Sequence, residues 1–115
     1  AEVFREDIDP ESEADAYLGM GEAYFDMRKI ENAKDAYDKG LSAVKEEADS
    51  LLKFKLLIGL GCAEADLGHF DEAQNYHKKA AELAQKMNNR NEELEAILQM
   101  GNDLLLSGYP EAGLF

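Results

Sequence analysis

The stretch Leu60–Ala80, LGCAEADLGHFDEAQNYHKKA, decides how the rest of the chain is read. It reads as the end of one helix, a break at Gly68, and a second helix opened by Phe70 and Asp71. Small residues stand where the two helices must approach: Gly61 in the first, opposite Ala73 in the second. Sliding the sequence by 40 positions reproduces this pattern on both sides. Gly21, Gly61 and Gly101 coincide, preceded by Met20, Leu60 and Met100. Leu18, Ile58 and Leu98 coincide, as do Tyr17, Leu57 and Ile97. Ala33 and Ala73 fall together with Gly113, and Lys39 falls with Lys79. A fixed period of this length marks antiparallel helical hairpins stacked as an all-α solenoid.

Working outward, Asp9-Pro10 predicts a helix start, because proline's missing N–H is harmless in the first turn. Tyr17, Leu18, Gly21, Tyr24 and Phe25 continue at helical spacing until Arg28-Lys29. A second helix begins near Glu31, with Ala33, Ala36, Tyr37, Gly40, Leu41 and Val44 on one face. Asp49-Ser50 caps a third, whose apolar side carries Phe54, Leu57, Ile58, Gly61 and Ala65. The fourth buries Ala73, Tyr76, His77, Ala80, Leu83 and Ala84, and stops at Asn88-Asn89. Asn89 with Glu92 predicts a capping box for a fifth helix, apolar at Leu94, Ile97, Leu98, Gly101, Leu104 and Leu105.

Repeats are thus expected at about 9–48, 49–88 and 89–115, the last incomplete, all within one domain. Residues 1–7 align with 41–47, so the chain is expected to begin inside a preceding helix. Pro110 is expected to open a sixth. About five full helices with partial helices at both ends read as a piece of a longer array, or as one whose end faces another chain covers.

Composition narrows the function classes. A formal net charge of −13 disfavours nucleic acid and anionic membrane surfaces, which need clustered Lys and Arg. It favours a basic or amphipathic protein partner, and it also serves solubility. Cys62 is the only cysteine, so an internal disulfide is impossible and a reducing, cytoplasmic setting is expected. The N-terminus has no signal-peptide pattern, and no apolar run reaches a membrane span.

These residues resemble the tetratricopeptide repeats. Met20-Gly21, Tyr24, Ala33 and Tyr37 fit one repeat, with Gly40 where the family prefers Ala. Leu60-Gly61, Gly68, Phe70, Ala73, Tyr76 and Ala80 fit the next, and Met100-Gly101, Gly108 and Gly113 begin a third. The 40-residue unit is longer than the usual ~34 and is similar to the longer-helix scaffolds of the Partner-of-Inscuteable and kinesin-light-chain kind. Glu64 departs from the pattern where an aromatic is expected, as does Pro110.

In such an array the first helices line a concave groove. By register its candidate partner-binding residues are Asp15, Leu18, Glu22, Phe25 and Asp26; then Lys55, Ile58, Cys62, Ala65 and Asp66; then Glu95, Leu98, Asn102, Leu105 and Leu106. Leu18, Ile58 and Leu98 are also candidates for packing between hairpins. An apolar floor with acidic flanks suits a peptide or amphipathic helix with basic residues. Some family members clamp a C-terminal carboxylate with cations on this face. The corresponding positions Leu18, Glu22, Gly59, Glu95 and Gln99 carry none, so that clamp is not expected.

Cys62, His69 and His77 lack the close spacing of metal ligands, and no phosphate loop, nucleophile elbow or zinc motif is present. His77 takes the aromatic packing position of its helix. The expectation is a non-enzymatic interaction scaffold without cofactor or metal. The alternative is an assembly element that self-associates or stacks through its uncapped ends.

Overall fold

The computed structural model describes residues 10–44 and 50–106. The helices are α1 (Pro10–Asp26), α2 (Ile30–Ala43), α3 (Ser50–Asp66), α4 (Phe70–Lys86) and α5 (Arg90–Leu106). Successive first helices therefore start at residues 10, 50 and 90, so the backbone carries the same 40-residue period as the sequence. Asp49, the expected helix at residues 1–7 and the one opened by Pro110 lie outside the described residues.

The three reversals among the described residues use the same device. Arg28, Gly68 and Asn88 adopt left-handed backbone, with φ of 63°, 85° and 56°. The next residue's N–H then reaches five residues back: Lys29 to the Tyr24 carbonyl, His69 to Glu64 and Asn89 to Ala84, at 2.8–3.0 Å. This closes the orphan carbonyls of the preceding helix. The breaks thus fall where glycine, asparagine and the Arg28-Lys29 pair place them, and short turns leave consecutive helices antiparallel neighbours. At the start of α5, the Glu92 N–H donates to Asn89 Oδ1 at 3.3 Å, as the capping pattern requires.

The central helix α3 is buried on two sides. Leu52, Leu56 and Leu60 pack with Ala14 and Leu18 of α1 and Ala33 and Tyr37 of α2. Phe54 and Leu57 pack with Ala80 and Ala84 of α4 and Ala96 of α5. Deleting Phe54 or Leu56 side chains from such sites costs about 2–5 kcal/mol. No described helix is long and apolar enough to cross a membrane.

Two expectations change. Gly21 of α1 and Gly61 of α3 have ring atoms as their nearest neighbours. A Cβ on Gly21 would lie 2.5 Å from Tyr37 Cε1, and one on Gly61 would run into the His77 ring. Ala33 and Ala73 are fully buried, but the space at the glycines belongs to the aromatic position one turn later. Secondly, the large apolar residues of α5 face outward. Leu94, Ile97, Leu98 and Leu105 are all at least half exposed, and among the described side chains of α5 those of Ala96 and Asp103 are buried. A helix with one neighbouring pair to dock on buries one face, and here that is the face with the small and the polar residue.

Candidate functional site

The first helices leave an open groove of ≈ 590 Å³ between α1, α3 and the start of α5. Asp15, Leu18, Glu22 and Phe25 of α1 line it, with Lys55, Ile58 and Cys62 of α3 and Glu95 of α5. Their spacing of three and four residues puts them on one face of each helix. Leu18 is nearly buried and serves both groove floor and core. Four carboxylates (Asp15, Glu22, Glu92 and Glu95) surround the single amine of Lys55 over an apolar floor.

Six further residues of the expected set do not join this groove. Ala65 is buried, so it offers no surface. Asp66 pairs with Arg28 at 3.0 Å, tying the first turn to the end of α3. Arg28 also sits over the Phe25 ring, 5.6 Å from its centroid, at that end of the groove. Asp26 is exposed at the end of α1. Leu98, Asn102 and Leu105 are exposed on α5 without lining the groove. Leu106 is the last residue of α5. The register places residues by face, but a groove closes only where neighbouring helices converge, and for α5 that is its first turns.

The expected set lacked Tyr37, Phe54 and Glu92, which line the groove together with Gly59. The signal for Tyr37 was Gly59 in mid-helix. A Cβ there would lie 2.6 Å from the Tyr37 ring, as one on Gly21 would from the other side, so the ring fills a slot between two glycines. Burial pushes its phenol up to about 12.

Beside the groove lies a chain of polar side chains that sequence spacing did not bring together. His77 is fully buried, and its Nδ1 lies 2.5 Å from Oδ2 of Asp103, itself 1% exposed. The Nε2 atom faces Cys62 Sγ at 3.9 Å, and that thiol points also to Gln99 Oε1 at 3.7 Å. Burial raises the Asp103 carboxyl above its usual range, opposed by its hydrogen bond to His77. Burial, then the nearby Asp103, Asp66 and Glu95 carboxylates, pushes the Cys62 thiol up to about 11. A thiol held protonated is a poor nucleophile and a poor metal ligand. Among the described residues no group of three or more His, Cys, Asp or Glu is arranged to hold a metal ion. The signal for Asp103 was a carboxylate at the register position held by Ala23 and Ala63.

Glu64, the departure from the aromatic pattern, is a buried contact rather than a packing loss. Its Oε1 lies 3.1 Å from Lys34 Nζ of α2 and 3.0 Å from His69 Nδ1 of the following turn. Hydrogen bonding to Glu64 raises the Lys34 ammonium above its ordinary value. The side chain thus links the two hairpins through charge where Tyr24, its counterpart, presents a ring.

A second, smaller hollow of ≈ 350 Å³ on α1 and α2 is lined by Tyr17, Met20, Tyr24, Asn32, Asp35, Ala36 and Lys39. It shares no residue with the groove.

The family profile described as tetratricopeptide repeat matches residues 12–86, which takes in α1 to α4. No curated protein matches the chain significantly.

Proposed function

The chain belongs to the tetratricopeptide repeat family, and from that premise we propose that it is a non-enzymatic scaffold whose groove binds a peptide or helix of a partner protein. Tetratricopeptide repeats mediate protein–protein interaction; the specific reading is that the partner segment is basic and amphipathic. The observation that carries it is the groove lining: four carboxylates against one amine, over Leu18, Phe25, Phe54 and Ile58. The 40-residue spacing of the helices supports the longer-helix subtype, with repeats at 9–48, 49–88 and 89–115 of a single domain. A cytoplasmic setting is part of the same reading, resting on the lone cysteine.

Selection from a random peptide library tests this. The wild-type chain should enrich peptides with Lys or Arg beside apolar residues, and the Glu22→Lys/Glu95→Lys variant should lose them. Enrichment of acidic or uncharged peptides, or no difference between the two chains, overturns the reading.

A second reading has its own support. Gly101 has nothing within 4 Å of an added Cβ, whereas its counterparts Gly21 and Gly61 are each covered by a ring. With Leu94, Ile97 and Leu98 exposed around it, α5 offers an apolar face for self-association or stacking. Light scattering discriminates: a dimer that becomes monomeric in Leu98→Glu favours assembly, and a wild-type monomer at high concentration removes it.

A further inference from the structure

Two neighbouring hairpins answer one packing problem in different ways. Tyr37 fills the slot between Gly21 and Gly59. Forty residues later His77 covers Gly61, and α5 presents Gln99 and Asp103 where α3 has Gly59 and Ala63. The smaller imidazole leaves room for the larger side chains, and the apolar contact becomes a buried hydrogen bond between Nδ1 and Asp103.

Among its described residues α5 is otherwise held by Ala96, packed with Phe54, Leu57, Ala80 and Ala84, and by the contact of Gln99 with Cys62, while Leu94, Ile97, Leu98 and Leu105 face outward. Gln74 Nε2 donates to the Met100 carbonyl at 2.6 Å, and Gln85 Nε2 to Glu93 Oε2 at 2.6 Å on the surface. Yet α5 supplies Glu92 and Glu95 to the groove.

We propose that the His77–Asp103 pair is a proton-dependent latch that fixes α5, and with it the Glu92–Glu95 wall of the groove, in place. The consequence for binding rests on the groove reading; the latch itself does not. The groups facing the imidazole are the Cys62 thiol from α3 and Asp103 from α5, with Asp66 and Glu95 near that thiol. None is a cation. A neutral imidazole beside an ionised Asp103 therefore buries a net negative charge among further carboxylates. One added proton makes the pair neutral, and a second leaves a buried imidazolium beside a protonated carboxyl. The one-proton pair is the state that burial favours. The upward displacement of the Asp103 carboxyl agrees with this, burial being its largest cause.

Asp and His side chains in water titrate in general at about 3.9 and 6.5, and opening α5 exposes both groups to water. Between those values the undocked pair also carries one proton, so docking is strongest there. Above about 6.5 the docked state holds more protons than the undocked one, and opening rises by up to about tenfold per pH unit. Below about 3.9 the undocked state holds more, and opening rises again.

Amide hydrogen exchange of the full chain, corrected for intrinsic rates, tests the latch. The opening constant of α5 should rise at least about threefold between pH 6 and 8, within the tenfold-per-unit limit, while α1 and α2 stay level. Asp103→Asn keeps an acceptor for Nδ1–H without a titrating carboxyl, so its α5 should open on acidification instead. His77→Tyr/Gln99→Gly/Asp103→Ala, which copies Tyr37, Gly59 and Ala63, should show neither trend. An α5 opening constant that is flat from pH 6 to 8 in the wild type, or a rise that persists in Asp103→Asn, overturns the latch. The groove is read separately, with a synthetic amphipathic Lys/Leu peptide as the probe. If the peptide binds at no pH while α5 exchange follows the expected course, the latch stands and the groove reading falls.

Discussion

His77 of α4 and Asp103 of α5 meet in the interior, Nδ1 to Oδ2 at 2.5 Å, with neither side chain open to solvent. Removing one partner of a buried pair strands the other. Asp103→Ala should cost about 2–4 kcal/mol, the range for orphaning a buried polar or charged group. His77→Tyr/Asp103→Ala should cost clearly less than the two single changes summed. Urea denaturation of the four chains measures the coupling, and additivity would mean that the pair is not energetically linked.

The same pair fixes a pH dependence. Burial raises the folded Asp103 carboxyl above its ordinary value of 3.8. Between about 3.9 and 6.5 the folded pair and the unfolded chain both hold one proton, so the wild-type pair adds little pH dependence there. In Asp103→Asn the folded site has no carboxylate to share a proton and holds fewer protons than the unfolded chain over the same window. The stability of this variant relative to wild type should improve as pH is raised from about 4 toward 6, in denaturant titrations at several pH values.

Glycines at one register position should respond oppositely to substitution. At Gly61 a Cβ meets the His77 ring, so Gly61→Leu should separate α3 from α4, cost about 1–3 kcal/mol and lower the melting temperature by several degrees. At Gly101 nothing lies within 4 Å, so Gly101→Ala should stabilise the helix by about 0.5–1 kcal/mol. Calorimetry on both variants decides, and a stabilised Gly61→Leu would refute the tight contact.

Lys34 neutralises a carboxylate that has almost no solvent of its own. Glu64 is 4% exposed, and its oxygen is shared by Lys34 and His69. Lys34→Ala should destabilise the chain by about 1–3 kcal/mol, well beyond an ordinary surface ion pair. The loss should shrink in Glu64→Gln/Lys34→Ala, which thermal denaturation can establish.

Cys62 should be slow toward alkylating reagents. With its thiol pushed up to about 11 from an ordinary value of 9.0, the thiolate fraction at pH 8 is lower by roughly a hundredfold. Iodoacetamide labelling followed by mass spectrometry should show that native Cys62 reacts correspondingly more slowly than in denaturant. Equal rates would mean that the thiol is not held against His77 and Gln99.

Sequence by itself determined the helices, their ends and their period. The 40-residue repeat of Gly21, Gly61 and Gly101, and the break at Gly68 and at Asn88-Asn89, act through local backbone preference, and local rules transfer from text to structure. Most of the groove lining was equally legible, because residues three and four apart on α1 and α3 share a face whatever their surroundings. Only the tertiary structure decided which ring covers each glycine, that the apolar side of α5 faces outward, and that Glu64 finds Lys34 and His69. The meeting of Cys62, His77 and Asp103 belongs to the same group. They lie 15 and 26 residues apart on three different helices, and their chemistry exists only because packing excludes water from the place where those helices converge.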